Sequence, residues 1–403
     1  MHSTKFRASV AALLLAVLPF APSAWAGESA LDFEAAKAEA AERGVPIVID
    51  FFTDSCVYCK QFDRDLADAS TGLAEALDAV VFTAVDAEKG QGIELAKTYE
   101  VSGFPTYLMI DAEGEVIDRW SGYGGPEHFR TYYDRALEDP RPLAVKRAEF
   151  EESPTAELAV HFGEIAAGAG RYDEAIALYR RAQELDPSTD QSANVLMASF
   201  GKLRRGGDEP AFDAFVETAR AAIAGDGVPT TTVVLAAQLM GAMAPRFGRP
   251  EAELPFLEAA LAALERDDEG IDPAAKAAIE VAAHLKITKD ADAAVAAKKA
   301  SMDEGWRDDP DALNAFAWWC FENEVNLEEA RALATKGVEL ARPGKQRAMI
   351  LDTVAEICNA MGDCDEALAL IERAIAEAPS EKHYQRQRDR FAAILEEQGA
   401  GDE

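Results

Sequence analysis

The sequence predicts an α/β layer domain followed by an all-α array of helical hairpins, behind a cleaved N-terminal leader. Three observations predict it. Between Leu31 and Leu137, helix-period and strand-period segments alternate in the order αβαβαββα, which suits one sheet covered by helices. After Pro154 no strand pattern appears, and the chain is Ala-rich and helical. Within that second stretch, small residues, a Gly and a Pro recur at one constant offset.

The 403 residues, 49% hydrophobic and 28% charged, suffice for two or three domains and exclude a disordered, collagenous or multispanning chain. With 40 Lys+Arg against 73 Asp+Glu, the formal charge is −33. The acidity runs through both halves without a cluster of Lys or Arg, so nucleic acid is not an expected partner.

At the N-terminus, Lys5 and Arg7 precede a short apolar stretch, Ala8 to Leu18. Pro19 and Pro22 then break any helix before Ala24-Trp25-Ala26. This is the layout of a secretory signal peptide, with cleavage expected before Gly27 and a soluble, periplasmic or secreted product. An uncleaved membrane anchor is the alternative, disfavoured by the short, Pro-interrupted apolar core. The cysteines are Cys56, Cys59, Cys320, Cys358 and Cys364. They are too few for a disulfide scaffold, but two stand as C-x-x-C in a chain bound for a compartment where disulfides persist.

The elements follow in order. Leu31 to Arg43 is helical and stops at Gly44. Val45 to Phe52 reads as a buried strand entered through Pro46, and a helix begins at Cys56 and runs to Leu66. Val80 to Val85 is a second buried strand, and Ile93 to Tyr99 is helical. Thr106 to Ile110 and Glu115 to Trp120 form a hairpin around Asp111-Ala112-Glu113-Gly114, and Glu127 to Leu137 closes the region as a helix. The expected organisation is a leader at 1–26, the α/β domain at 27–139, a Pro-bearing linker at 140–154 and the helical array at 155–398.

In the array, Gly163, Gly170, Ala175, Ala182 and Pro187 recur as Ala355, Gly362, Ala367, Ala374 and Pro379. Small residues are needed where two antiparallel helices touch, Gly suits the turn, and Pro stops the second helix. Segments 156–189 and 348–381 resemble tetratricopeptide repeats. Segment 311–344 fits less well: it keeps Leu327 and Ala330, but Trp318 falls at the small-residue position and Pro343 comes one residue late. Such units cannot bury their apolar faces singly, so a continuous stack of hairpins is expected, with a concave surface for an unidentified protein partner.

The chemistry concentrates in Asp50-Phe51-Phe52-Thr53-Asp54-Ser55-Cys56-Val57-Tyr58-Cys59-Lys60. A buried strand ends, a short loop crosses, and a helix begins at the first Cys. A helix N-terminus carries partial positive charge and unpaired N–H groups, which favour a thiolate. Cys56 is therefore the expected nucleophile, and Cys59, one turn on, the thiol that resolves a mixed disulfide. Just before a later strand stands Val101-Ser102-Gly103-Phe104-Pro105-Thr106. If the bond to Pro105 is cis, the Phe104 backbone turns towards the cysteines and can pair with an extended client.

Residues 31–138 resemble the thioredoxin superfamily, and most nearly the soluble thioredoxin-like domains of exported disulfide reductases. The resemblance implies that Asp50 is a buried acid assisting deprotonation of Cys59, that Pro105 is the family's cis-Pro, and that Lys60 and Gly122, Gly124 and Gly125 fill family positions. Ser55 departs from the family's Trp and Val57-Tyr58 from its Gly-Pro. That dipeptide tunes redox poise, so the direction of electron flow stays open.

For the C-x-x-C pair, half a zinc site or a structural disulfide is the plainer alternative, disfavoured because no second pair exists and His2, His128, His161, His284 and His383 show no ligand spacing. Cys320, Cys358 and Cys364 are expected as small core residues, with a Cys358–Cys364 disulfide as the alternative. The functional expectation is an exported thiol–disulfide oxidoreductase, reductase rather than oxidase or isomerase. Its catalytic residues are Cys56, Cys59 and Asp50, with Tyr58, Phe104 and Pro105 lining a client groove. It needs no cofactor or metal beyond its own Cys56–Cys59 disulfide, takes protein thiols and disulfides as clients, and is recharged by a membrane electron donor. A non-catalytic interaction scaffold is the competing class.

Overall fold

The structure, a computed structural model, describes residues 33–225 and 227–401; the expected leader at 1–26 lies outside them. The chain divides into two compact units between Ser153 and Pro154.

In the first unit β1 (Ile47–Phe52), β2 (Val81–Asp86), β3 (Thr106–Ile110) and β4 (Val116–Ser121) form one sheet in the order β2-β1-β3-β4. Strand β2 runs parallel to β1, whereas β1–β3 and β3–β4 are antiparallel. The helices are α1 (Phe33–Arg43), α2 (Val57–Ala67), α3 (Leu73–Leu77), α4 (Gln91–Thr98), α5 (Pro126–Glu138) and α6 (Leu143–Glu152). Alternation along β1 sends Ile47, Ile49 and Phe51 to one face, where they pack with Ala36 and Ala40 of α1 and Ala96 of α4. Val48 faces the other way, into a core with Phe62 of α2 and Phe129 and Tyr133 of α5. Both faces of β1 are thus covered, which explains its unbroken apolar run. Gly92 is required by close approach: a Cβ there would lie 2.0 Å from the Asp86 carbonyl oxygen.

Two elements depart from the sequence expectation. The stretch after α2 folds into a 3₁₀ turn and the short helix α3, which buries Leu73 and Leu77. Residues 140–154, expected as a linker, carry α6 packed on β4. Lys146 links this helix to the sheet. Its side chain is buried, and its ammonium donates to the Ile117 carbonyl at 3.1 Å and lies 3.9 Å from Asp139.

The second unit is a succession of helices. They are α7 (Ala156–Gly168), α8 (Tyr172–Leu185), α9 (Ser192–Arg204), α10 (Glu209–Ala222), α11 (Thr230–Met243), α12 (Leu254–Arg266), α13 (Pro273–Ala283), α14 (Ala291–Ala300), α15 (Pro310–Glu322), α16 (Leu327–Leu340), α17 (Lys345–Ala360), α18 (Cys364–Glu377) and α19 (Lys382–Gly401). Gly170 and Gly362 take positive φ in the α7–α8 and α17–α18 turns, as the repeat requires. No helix among the described residues is long and apolar enough to cross a membrane.

The third hairpin corrects one reading. Buried Ala159, Phe162, Gly163 and Ala166 of α7 correspond to buried Leu313, Phe316, Ala317 and Cys320 of α15, so Ala317, not Trp318, holds the small-residue position. Ala175, Tyr179 and Ala182 of α8 correspond to Ala330, Ala334 and Gly337 of α16, at an offset one residue larger. The extra residue sits in the turn, where Glu324 and Asn326 both take positive φ. It comes after the bond that ends the first helix, which all three hairpins share: Val325 N–H bonds the Cys320 carbonyl at 3.0 Å, as Arg171 bonds Ala166 and Asp363 bonds Cys358, both at 2.8 Å. Cys320 and Cys358 thus hold equivalent places.

Candidate functional site

The site forms where β1 ends. Cys56 is the N-cap of α2, and its Sγ accepts the Cys59 N–H at 3.1 Å. Cys56 N–H in turn donates to the Thr53 carbonyl at 3.1 Å, which closes the loop. Cys56 and Cys59 are joined in a disulfide, with Cα atoms 5.3 Å apart. Cys59 is buried, Cys56 is partly open, and Val57 and Tyr58 between them are 70% and 59% exposed. One cysteine is therefore partly open to solvent while the other is sheltered, and Val57 and Tyr58 stand out into solvent.

The β1–β3 register brings the second loop to this end of the sheet. Phe51 pairs with Thr106, so Pro105 adjoins the strand end from which the cysteine loop departs. The Phe104–Pro105 peptide is cis, with Pro105 buried and Phe104 partly exposed. Gly122, at positive φ after β4, donates its N–H to the Pro105 carbonyl at 2.8 Å, and Thr106 Oγ1 lies 2.9 Å from Ser121 Oγ. The expected site residues Cys56, Cys59, Tyr58, Phe104 and Pro105 thus share one end of the sheet.

Asp50 lies on β1 and is fully enclosed, with Oδ1 lacking a hydrogen-bond partner among the described residues. Burial pushes its carboxyl up to about 8, with repulsion from Asp63 a smaller contribution. Its cross-strand partner Tyr107 is equally buried, and its hydroxyl likewise meets no partner. Sequence reading missed both neighbours. Asp63 falls one helical turn beyond Cys59, a spacing that could have revealed it. Tyr107 enters only through strand register.

The remaining cysteines do not join this site. Cys320, Cys358 and Cys364 are buried in the second unit, outside any disulfide. Burial raises the Cys320 thiol to about 12 and the Cys358 thiol to about 11, so both are poor nucleophiles. Among the described residues no group of three or more His, Cys, Asp or Glu could hold a metal ion.

Chemically, a dithiol at a helix N-terminus can exchange electrons with another disulfide. Comparison with known proteins agrees on the class. Residues 33–137 match the model of the thioredoxin-like domain, and residues 156–189 that of the tetratricopeptide repeat, so the chain carries a thioredoxin-like domain followed by a repeat of that type. Among individual relatives, protein disulfide isomerase-like 1-1 of Arabidopsis thaliana is 29% identical over 103 residues, 26% of this chain and 20% of that protein. Thiol:disulfide interchange protein DsbD of Klebsiella pneumoniae is 36% identical over 81 residues, 20% of this chain and 13% of that protein. A thioredoxin from Thermus thermophilus, known in solution, is 28% identical, covering 25% of this chain and 81% of that one at a TM-score of 0.23. The chain thus spans no more than 20% of the length of either of these two curated relatives.

Proposed function

We propose that this protein is an exported thiol–disulfide oxidoreductase that works in the reducing direction and binds a partner or client through its helical array. The observation that carries the proposal is Cys56 at the N-terminus of α2, its Sγ accepting the Cys59 N–H at 3.1 Å. An N–H aimed at that sulfur, together with the helix dipole, stabilises the Cys56 thiolate. The similarity to DsbD and to a protein disulfide isomerase supports the same chemistry.

In the reduced enzyme the Cys56 thiolate attacks one sulfur of a client disulfide, and the other client sulfur leaves as a thiolate. Cys59 then loses its proton to Asp50 and attacks Cys56 Sγ. The client's second thiolate leaves, the client carries two thiols after protonation, and Cys56–Cys59 becomes the disulfide. Two electrons pass to the client, and the pair itself is the redox centre, without a further cofactor. Asp50 suits this step because its raised pKa lies close to that of a thiol, so its ionised form can take the Cys59 proton at little cost. Tyr58, Phe104 and Pro105 border the place where an extended client chain would lie.

A separate electron donor, membrane-borne for an exported enzyme, must return the pair to the dithiol. The leader pattern of residues 1–26 supports export, and the hairpins of the second unit support partner binding. The test is insulin reduction by the full chain, with Cys56→Ser as control. Activity lost in the variant upholds the enzyme reading, and equal turnover in both proteins leaves the interaction scaffold. Equilibration with glutathione fixes the direction: a potential near about −270 mV fits a reductase, and one near about −120 mV an oxidase.

A further inference from the structure

The loop leading into Cys56 carries one carboxylate, Asp54, two residues before the sulfur. Lys89 Nζ lies 2.7 Å from Asp54 Oδ2 and 2.7 Å from Asp86 Oδ2. The base of this bridge is fixed. Asp86 closes β2 and its Oδ1 accepts the Glu88 N–H at 2.9 Å, while Ala87 N–H bonds the Phe52 carbonyl at 2.9 Å. The ammonium therefore reaches from a loop anchored to the end of β1 across to the loop that holds Cys56. Thr53 Oγ1 and Ser55 Oγ, 3.3 Å apart, brace that second loop.

We propose that Lys89 is a positioning residue for Cys56: it neutralises and holds Asp54, so that the thiolate does not form beside an uncompensated negative charge. The proposal rests on the redox reading above and extends it to the electrostatics of the approach loop. The other titratable groups on the flanking elements are Lys60, Asp63, Arg64 and Asp65 on α2, Asp86 and Glu88 beside Lys89, and buried Asp50 on β1, whose raised pKa keeps it uncharged at pH 6. Acids outnumber bases in that set, which is why the loss of one cation would be felt. Hydrogen bonds to Asp54 and then Asp86 hold the Lys89 pKa above its ordinary value, so the ammonium persists wherever Cys56 titrates. Lys89 and Asp54 are both exposed, so screening limits the effect, and substitutions at either position leave the core intact.

The experiment uses the reduced full chain and follows alkylation of Cys56 by iodoacetamide from pH 5 to 9, read by peptide mass. Lys89→Met should slow the reaction at pH 6 roughly two- to threefold and move the inflection to higher pH. Lys89→Arg should keep the wild-type profile, and Asp54→Asn added to Lys89→Met should restore it. A Lys89→Met profile superimposed on wild type overturns the proposal. So does a double variant as slow as Lys89→Met alone, since Lys89 would then not act through Asp54. A wild-type inflection at the ordinary thiol value would sink the redox reading by itself, while the ratio of variant to wild type still measures the effect of Lys89.

Discussion

Asp50 and Tyr107 stand opposite each other across the β1–β3 pair, both buried, and neither Asp50 Oδ1 nor the Tyr107 hydroxyl meets a hydrogen-bond partner among the described residues. A carboxyl so placed is more stable with its proton on. Its pKa of about 8, set first by burial and then by Asp63, follows from that enclosure. The acid that the sequence marks by its place before the cysteines thus keeps its proton to a higher pH than an exposed carboxylate does.

A pH dependence of stability follows. The folded-state pKa of Asp50 lies above its unfolded value, so its favourable contribution is complete below about pH 4 and is lost as pH rises through about 8. Asp50→Asn should remove that loss and make the oxidised protein more stable than wild type above pH 8, by up to about 5 kcal/mol. Urea denaturation at pH 5 and pH 9 measures it. Equal pH slopes in the two proteins would mean that Asp50 is not enclosed as described.

Gly163 and Tyr179 form a matched pair. A Cβ on Gly163 would lie 2.6 Å from the Tyr179 ring, whereas the equivalent pair in α17 and α18 is Ala355 and Ile371, both fully buried. Gly163→Ala should therefore cost about 1–3 kcal/mol by overpacking. Adding Tyr179→Ile should recover much of that loss, as the other hairpin already does. A double variant no better than the single one in thermal melts would contradict the compensation.

The α/β order, the C-x-x-C loop and the paired small residues of 156–189 and 348–381 are local patterns, and a one-dimensional reading captures them. Trp318 was misplaced because one added turn residue breaks the constant offset that repeat matching relies on. Tyr107 stayed hidden because register between strands is decided by the folded sheet. The helix α6 was missed because Pro140 and Pro142 suggest a linker, whereas Lys146 inserted beside Ile117 holds the segment on the first unit.

Lys146 gives a third prediction. Its ammonium is enclosed with Asp139 at 3.9 Å, and burial draws its pKa down despite attraction from Asp118 and Asp139. Lys146→Ala leaves those acids without it and should destabilise the protein by about 3 kcal/mol. The measurement is the shift in urea midpoint. A change below about 0.5 kcal/mol would show that α6 contributes little.

Cys320 and Cys358 should behave as core residues. Their thiols are raised to about 12 and about 11 by burial, so neither forms a thiolate in the neutral range. In folded, oxidised protein at pH 8 neither should react with a disulfide reagent on the minute timescale, and both should react promptly in urea. Fast labelling of either in the native state would place it at the surface.

The most direct measurement is the pH profile of Cys56 alkylation in the reduced wild-type protein. A sulfur held at the N-terminus of α2 under the Cys59 N–H should titrate well below the ordinary thiol value of about 8.5 and react with iodoacetamide at pH 6. An inflection at or above about 8.5 would contradict the assignment of Cys56 as a nucleophile poised for disulfide exchange.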